Sequence, residues 1–383
     1  MKLNRVLFVG VGGGNDIFST TLAMASLWDI GWRWEEAAIA GVLSPFHIHN
    51  SPQAANNILL TSESSTRHLL RRGNERINYV DAEVCKMIER EPLCLCSSTV
   101  YGISLKNGSR GVQEAFKFLE GEFDYFVLVD IGGDCFYNGT DPHVLSPMFD
   151  SITLKGFIDS GCHGTLFEAG PGTDGELSPE TLRNVLADSD IETHPINSES
   201  VDWWEALYRK WIARTRYGNT VPATISAFRA TEPIMTREYY VRGHLGMKRY
   251  HLIITQLIDT LLCKQFFLVP PEIIQNPFMV DCSSAYDWFL KTQVAQKRTN
   301  NEANLEYFKS NGKLCQFLTP SPLFEENQRR VIFKDALLEL VDGMCDSVFC
   351  FTSDLFLAEI DLLSKFLIIP VRENFVKLEV RNK

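Results

Sequence analysis

RVLFVGVGGGNDIFST, residues 5–20, runs through four consecutive apolar residues, Val6 to Val9, and breaks at Gly10. It then passes Gly12, Gly13 and Gly14 and resumes with helical spacing from about Ile17. The pattern is a buried strand, a glycine turn and a helix. Backbone N–H groups at a helix start can face an anion closely only where no Cβ stands in the way, so such a turn suits a phosphate. Gly10 and Gly12 match the first two glycines of the dinucleotide fingerprint, and Asn15 stands where the third belongs. Asp16 follows at once. A carboxylate is favourable at a helix N-terminus but repels a phosphate on the same N–H groups. The loop is therefore acidic as well as anion-binding, which suits a ribose, a metal ion or a water needing activation beside a diphosphate.

Two further loops repeat this mixture of glycines and acids. The apolar run Tyr125 to Val129 ends in Asp130-Ile131-Gly132-Gly133-Asp134. The segment from Phe167 carries Glu168, Gly170, Gly172, Asp174 and Glu176 ahead of Ser178-Pro179, a capped helix start with proline in its first turn. Acids beside an apolar strand cost desolvation unless something uses them. Three such loops, each after an apolar segment, imply a crossover α/β sheet with its loops gathered at one edge.

The rest of the chain fits around that sheet. Helical spacing predicts helices over Phe18 to Trp28, Val84 to Arg90, Val112 to Leu119 with Ser109 as N-cap, Ser151 to Ile158, and Val201 to Tyr217 with its core-facing tryptophans. Strands are expected at Ala37 to Leu43, Leu93 to Val100 and Val221 to Phe228, with Phe266 to Val269 the last of the sheet. His47 and His49 would share one face after the second strand. Without a third ligand they read as loop histidines rather than a metal pair. Residues 1–270 are expected to form a Rossmann-like α/β domain with a mostly parallel sheet flanked by helices. Residues 271–383 then form a mainly helical cap or extension, with a short terminal strand at Phe375 to Val380.

With 45% hydrophobic and 22% charged residues, the 383-residue chain has the composition of a globular protein with a sizeable core. Its net charge of −11 gives no general attraction to nucleic acid or to an anionic membrane surface. The ten cysteines form no CxxC pair of zinc-site spacing and read as buried thiols in a reducing compartment. The N-terminus enters a strand directly, and the most apolar later run, His251 to Pro270, is interrupted by Gln256, Asp259 and Lys264. A cytoplasmic protein without a membrane span is expected, with delivery by a specialised secretion machine leaving no readable signal.

The three glycine-and-acid motifs, with Leu145-Ser146-Pro147 and Asp150 between the second and third, resemble the prokaryotic family 1152 of domains of unknown function. The resemblance spans roughly the first 270 residues. It implies a Rossmann-like sheet and brings no established reaction. Asn15 replaces a glycine usual in that family.

The functional expectation is a hydrolase of a nucleotide-diphosphate sugar, in particular one cleaving the glycosidic bond of an ADP-ribosyl group, free or on a protein. Gly10, Gly12, Gly13, Gly14, Asn15, Asp16, Gly132, Gly133, Gly170 and Gly172 would hold the nucleotide. Asp130 and Asp134 would serve as the acid/base pair or as metal ligands, with Asp16 and Asp174 orienting the ribose. A divalent metal ion is thus a candidate cofactor. The alternatives are a non-catalytic nucleotide-binding module and an NAD-dependent oxidoreductase. The oxidoreductase is disfavoured by Asn15 and by Ser44-Pro45, which stands where a ribose-binding acid belongs.

Overall fold

The computed structural model describes residues 1–12, 16–43, 53–55, 58–61, 96–139, 147–215, 220–231, 234–235, 257–292, 306–310, 313–317, 337–338, 341, 347–351, 355, 358, 360–372 and 375–381. Gly13, Gly14, Asn15, Ser44, His47, His49 and the expected helix over residues 84–90 lie outside them.

In chain order the first half contains β1 (Lys2–Gly10), α1 (Asp16–Asp29), β2 (Arg33–Leu43), β3 (Gln53–Ala55), β4 (Ile58–Thr61), β5 (Cys96–Ser104), α2 (Gly108–Leu119) and β6 (Tyr125–Ile131). There follow α3 (Met148–Ser160), β7 (Gly164–Ala169), α4 (Pro179–Leu186), β8 (Glu192–Pro195), α5 (Ser198–Thr215), α6 (Thr220–Arg229), β9 (Ile234–Met235), β10 (Leu257–Ile258), β11 (Gln265–Val269) and α7 (Ala285–Thr292). The main sheet has nine strands in the order β3-β4-β5-β2-β1-β6-β7-β11-β8. Its five central strands, β5, β2, β1, β6 and β7, run parallel, and β4 and β11 pair antiparallel at either side.

This order follows from the sequence of crossovers. From β1 the chain steps outward to β2 and then β5; it returns to β6 on the other side of β1 and moves on to β7. The direction of winding therefore reverses between β1 and β6. At that point neighbouring loops diverge to opposite faces and open a crevice beyond the strands' carboxyl ends. The central strands are apolar on both faces because helices cover both. On one face α1 and α5 bury Phe18, Leu22, Trp204 and Tyr208 against Phe8 and Val127. On the other, α2 and α3 bury Val112, Phe116, Ile152 and Phe157 against Leu128 and Phe126. Phe116, Phe126 and Phe157 meet edge to face, with centroids 5.0–5.9 Å apart. Beyond residue 270 the chain continues in this second layer, where Ile274, Phe278, Cys282 and Trp288 join the same core.

Several expectations are corrected. Val221 to Phe228 is helical, within α6: Pro222 falls in the first turn, where its missing N–H costs nothing, and Val221 and Ile225 form one buried stripe. Phe266 to Val269 lies in β11, the last strand of the main sheet in chain order as expected, with β8 paired on its outer side. Ser109 does not cap its helix: Asn107 precedes the first turn, and the Ser109 hydroxyl accepts a bond from the Cys282 N–H at 2.9 Å. The described C-terminal residues are not mainly helical. They form β12 (Glu306–Ser310), β13 (Lys313–Phe317), β14 (Ser347–Phe351), β15 (Phe366–Arg372) and β16 (Phe375–Val380), a sheet in the order β12-β13-β14-β16-β15, with α8 (Ile360–Leu363) before β15. Short apolar runs rich in Val, Ile and Phe do not reveal their period to inspection, and here the extended form prevails. Among the described residues, no helix is long and apolar enough to cross a membrane.

Candidate functional site

Each of the three expected loops leaves the carboxyl end of a parallel strand, and those strands, β1, β6 and β7, are neighbours. Main-chain bonds stitch the loops together. The Val11 N–H donates to the Val129 carbonyl at 3.0 Å, the Gly132 N–H to Ala169 at 3.3 Å, and the Gly172 N–H back to Gly132 at 2.5 Å. Asp16, Asp130, Asp134 and Asp174 therefore surround one hollow at the reversal point of the sheet.

Strand alternation explains which acids share a face. Phe126, Leu128 and Asp130 lie on the side covered by α2 and α3, and Asp130 stands in register beside Glu168 of β7. Two in-register neighbours on parallel strands project to the same side, so both carboxyls enter the hollow from the sheet. Asp150 reaches it from the first turn of α3, Asp16 from the first turn of α1, and Asp134 from a short 3-10 turn, 134–136. Asp174 and Glu176 complete the ring from the loop after β7. Asp150, Glu168 and Glu176 are functional candidates that the sequence reading left out of its site. The available signal was an acid inside the apolar strand Thr165-Leu166-Phe167-Glu168-Ala169.

The described glycines make room for the acids and for the turns that carry them. Gly12 and Gly132 make room for carboxylates: a Cβ on Gly12 would overlap Asp16 Oδ2 and stand 2.6 Å from Asp150 Oδ1, and one on Gly132 would stand 2.8 Å from Asp174 Oδ2. The Gly12 N–H already donates to Asp16 Oδ2 at 2.7 Å. That donor is directed at the chain's own carboxylate rather than at a phosphate. Gly10 lets the start of α1 cross β1, since a Cβ there would collide with the backbone of Asp16 and Ile17. Gly133, Gly170 and Gly172 turn the chain, and the nearest atoms to an added Cβ belong to Leu182 or Thr224.

The electrostatics are one-sided. Glu168 is fully buried, Asp130 is 1% and Asp150 3% exposed. Asp150 Oδ1 and Asp174 Oδ2 have no hydrogen-bond partner among the described residues, and Glu168 finds one only in Asp130, by keeping its own proton. Burial pushes the carboxyls of Asp16, Asp134, Asp150, Glu168 and Asp174 well above the usual carboxylate range, and the nearby acids push them further. Burial also raises Asp130, against hydrogen bonds from Cys135 that favour its charged form. The Cys135 thiol is held protonated by burial and by Asp130 and Glu168. Among the described residues, the strongest charges acting on these carboxyls are other carboxylates. Three groups bring ligand atoms within 4.8 Å of one another: Asp16, Asp130 and Asp150; Asp134, Asp174 and Glu176; and Asp130, Cys135 and Glu168.

The fold and the hollow define a three-layer α/β protein with an acid-lined pocket at the reversal point of a mostly parallel sheet. Over residues 7–214, more than half of the chain, the sequence matches the family described as Protein of unknown function (DUF1152), and the chain belongs to that family. No curated protein and no solved structure matches it.

Proposed function

We propose that the chain is a hydrolase acting on a nucleotide-diphosphate sugar, cleaving the glycosidic bond of an ADP-ribosyl group. The observation that carries this reading is the closeness of Asp130, Asp134 and Asp174, which act on one another's charge at the sheet's reversal point. Glycoside hydrolysis needs one carboxyl that is protonated at neutral pH and one that is ionised. A group of buried acids that raise one another's pKa supplies both, because ionising one holds its neighbours protonated. In this reading Asp134 donates a proton to the leaving group as the anomeric bond breaks. Asp130 takes the proton of the attacking water, and Asp174 orients the ribose hydroxyls.

The test is turnover of NAD, ADP-ribose, ADP-glucose and an ADP-ribosylated protein by purified chain, followed by chromatography of the released nucleotide and sugar. Asp134→Asn is expected to lower kcat by about a hundredfold or more while substrate binding persists. If the folded protein turns over none of the four, with divalent cations present, the reading fails.

A further inference from the structure

The hollow crowds together carboxyls that, with no basic side chain among the described residues acting on them, escape mutual repulsion only by holding protons. A buried carboxylate is tolerable when something binds it, and the ordinary partners are an N–H donor, a basic side chain or a metal ion. Asp130 Oδ2 and Asp150 Oδ1 lie on residues more than nine-tenths buried and receive no donor from a basic or neutral group among the described residues. Glu168 bonds to the Asp130 carboxylate only while it keeps its own proton. The space between the carboxylates is also kept clear by the backbone, since a Cβ on Gly12 would intrude on Asp16 and Asp150 together.

The distances suit a hard cation. Oxygens on opposite sides of a bound Mg²⁺ or Mn²⁺ stand about 4.2 Å apart, and around Ca²⁺ about 4.6–5.2 Å. The two all-oxygen groups hold their ligand atoms within 4.8 Å of one another and share no residue. They are also close enough to interact: Asp134 is acted on by Asp150 and Asp130, and Asp174 by the same two.

We infer that the hollow is a two-cation centre for hard divalent metals, one ion held by Asp16, Asp130 and Asp150 and the other by Asp134, Asp174 and Glu176. Only oxygen donors enter either set, which selects Mg²⁺, Mn²⁺ or Ca²⁺ over softer metals. The inference rests on the proposed hydrolase only for the use it gives the ions, and it replaces the direct proton transfers of Asp130 and Asp134, because a carboxylate that holds a cation is ionised and the acid and base would then be cation-bound waters. Paired cations would let an acid-lined hollow accept a diphosphate, which its own charge otherwise repels. Glu168 stands beside the first ion's ligand Asp130 and holds that carboxylate's direction.

The test is Mn²⁺ binding to EDTA-treated full-length chain, counted by equilibrium dialysis and by the EPR signal of free Mn²⁺, without substrate. Two ions per chain are expected at saturation, with mutual broadening of their EPR lines because they share one hollow. Asp150→Asn should weaken one site by about tenfold or more and Glu176→Gln the other. Zero or one ion, two ions with the unbroadened spectra of separate sites, or folded variants that both bind as the native chain does, would each overturn the inference. The native count and line shape decide the matter even if a variant fails to fold. Two bound ions without nucleotide-sugar turnover would remove the proposed reaction and leave the centre. Turnover in excess EDTA by a chain that binds no Mn²⁺ would do the reverse.

Discussion

Gly12 and Asp150 face one another across the hollow, and each gives a distinct expected outcome. Gly12→Ala places a methyl against Asp16 Oδ2 and Asp150 Oδ1, both of which sit on fixed helix starts. It should cost about 1–3 kcal/mol of stability in urea unfolding and should reduce the thermal shift produced by Mn²⁺, leaving the part due to the second ion. Asp150→Asn keeps the shape and removes a charge that nothing on the described chain neutralises. In EDTA the variant should be more stable than the native protein, by on the order of 1 kcal/mol, and it should gain less from added Mn²⁺. A variant less stable than the native chain in EDTA would mean that this carboxylate is satisfied by the protein itself. Gly12, Asp16, Asp130 and Asp174 were readable in the sequence because short glycine-and-acid runs after strands have few structural uses. Asp150 was visible only as part of a motif, since an acid in a helix's first turn has an ordinary reason to be there.

At the scale of elements, α1 and α5 lock together through Phe18 and Trp204, whose rings stack with centroids 6.0 Å apart. Trp204 is almost wholly buried, so Trp204→Ala should cost about 3–5 kcal/mol, measured by denaturant unfolding. On the outer side of the same helix, Arg229 bridges Asp202 and Glu205 from α6, half exposed to solvent. Arg229→Ala should cost about 1 kcal/mol or less, because water screens such pairs. Equal losses for the two variants would contradict this division between core and surface. Helix α5 was legible because its tryptophans recur at helical spacing over eighteen residues. Helix α6 was not, because β-branched residues in a ten-residue run satisfy either period until a neighbour selects one. The C-terminal strands were missed for the same reason: their partners lie far along the chain, as β14 shows in pairing with both β13 and β16.

For the whole molecule, the acid hollow links stability to pH with a definite sign. The carboxyls of Asp16, Asp134, Asp150 and Asp174 stand above their ordinary value of 3.8, and that of Glu168 above 4.5, because folding buries them. The folded state therefore holds protons that the unfolded chain releases. The associated stability is complete below the unfolded values and is lost as pH rises through the folded ones. In EDTA the Tm, followed by calorimetry, should fall as pH rises above the unfolded carboxyl values. Added Mn²⁺ should offset that fall most at the higher pH, where ionised ligands need no proton displaced. A Tm that climbs with pH in EDTA would contradict the burial of these groups.

Local chemistry determined much of this protein. An apolar run cut by glycine must leave the sheet there, and a mostly parallel sheet flanked by helices follows from repeating that unit. What no local pattern contains is distance between remote residues. Only the tertiary structure put β6 beside β1, set Asp130 in register with Glu168 and brought Asp150 across from another helix. It also turned the Gly12 N–H toward the Asp16 carboxylate. The physical reason is that periodicity records which face a residue buries, whereas the identity of its neighbour is settled by which elements pack together.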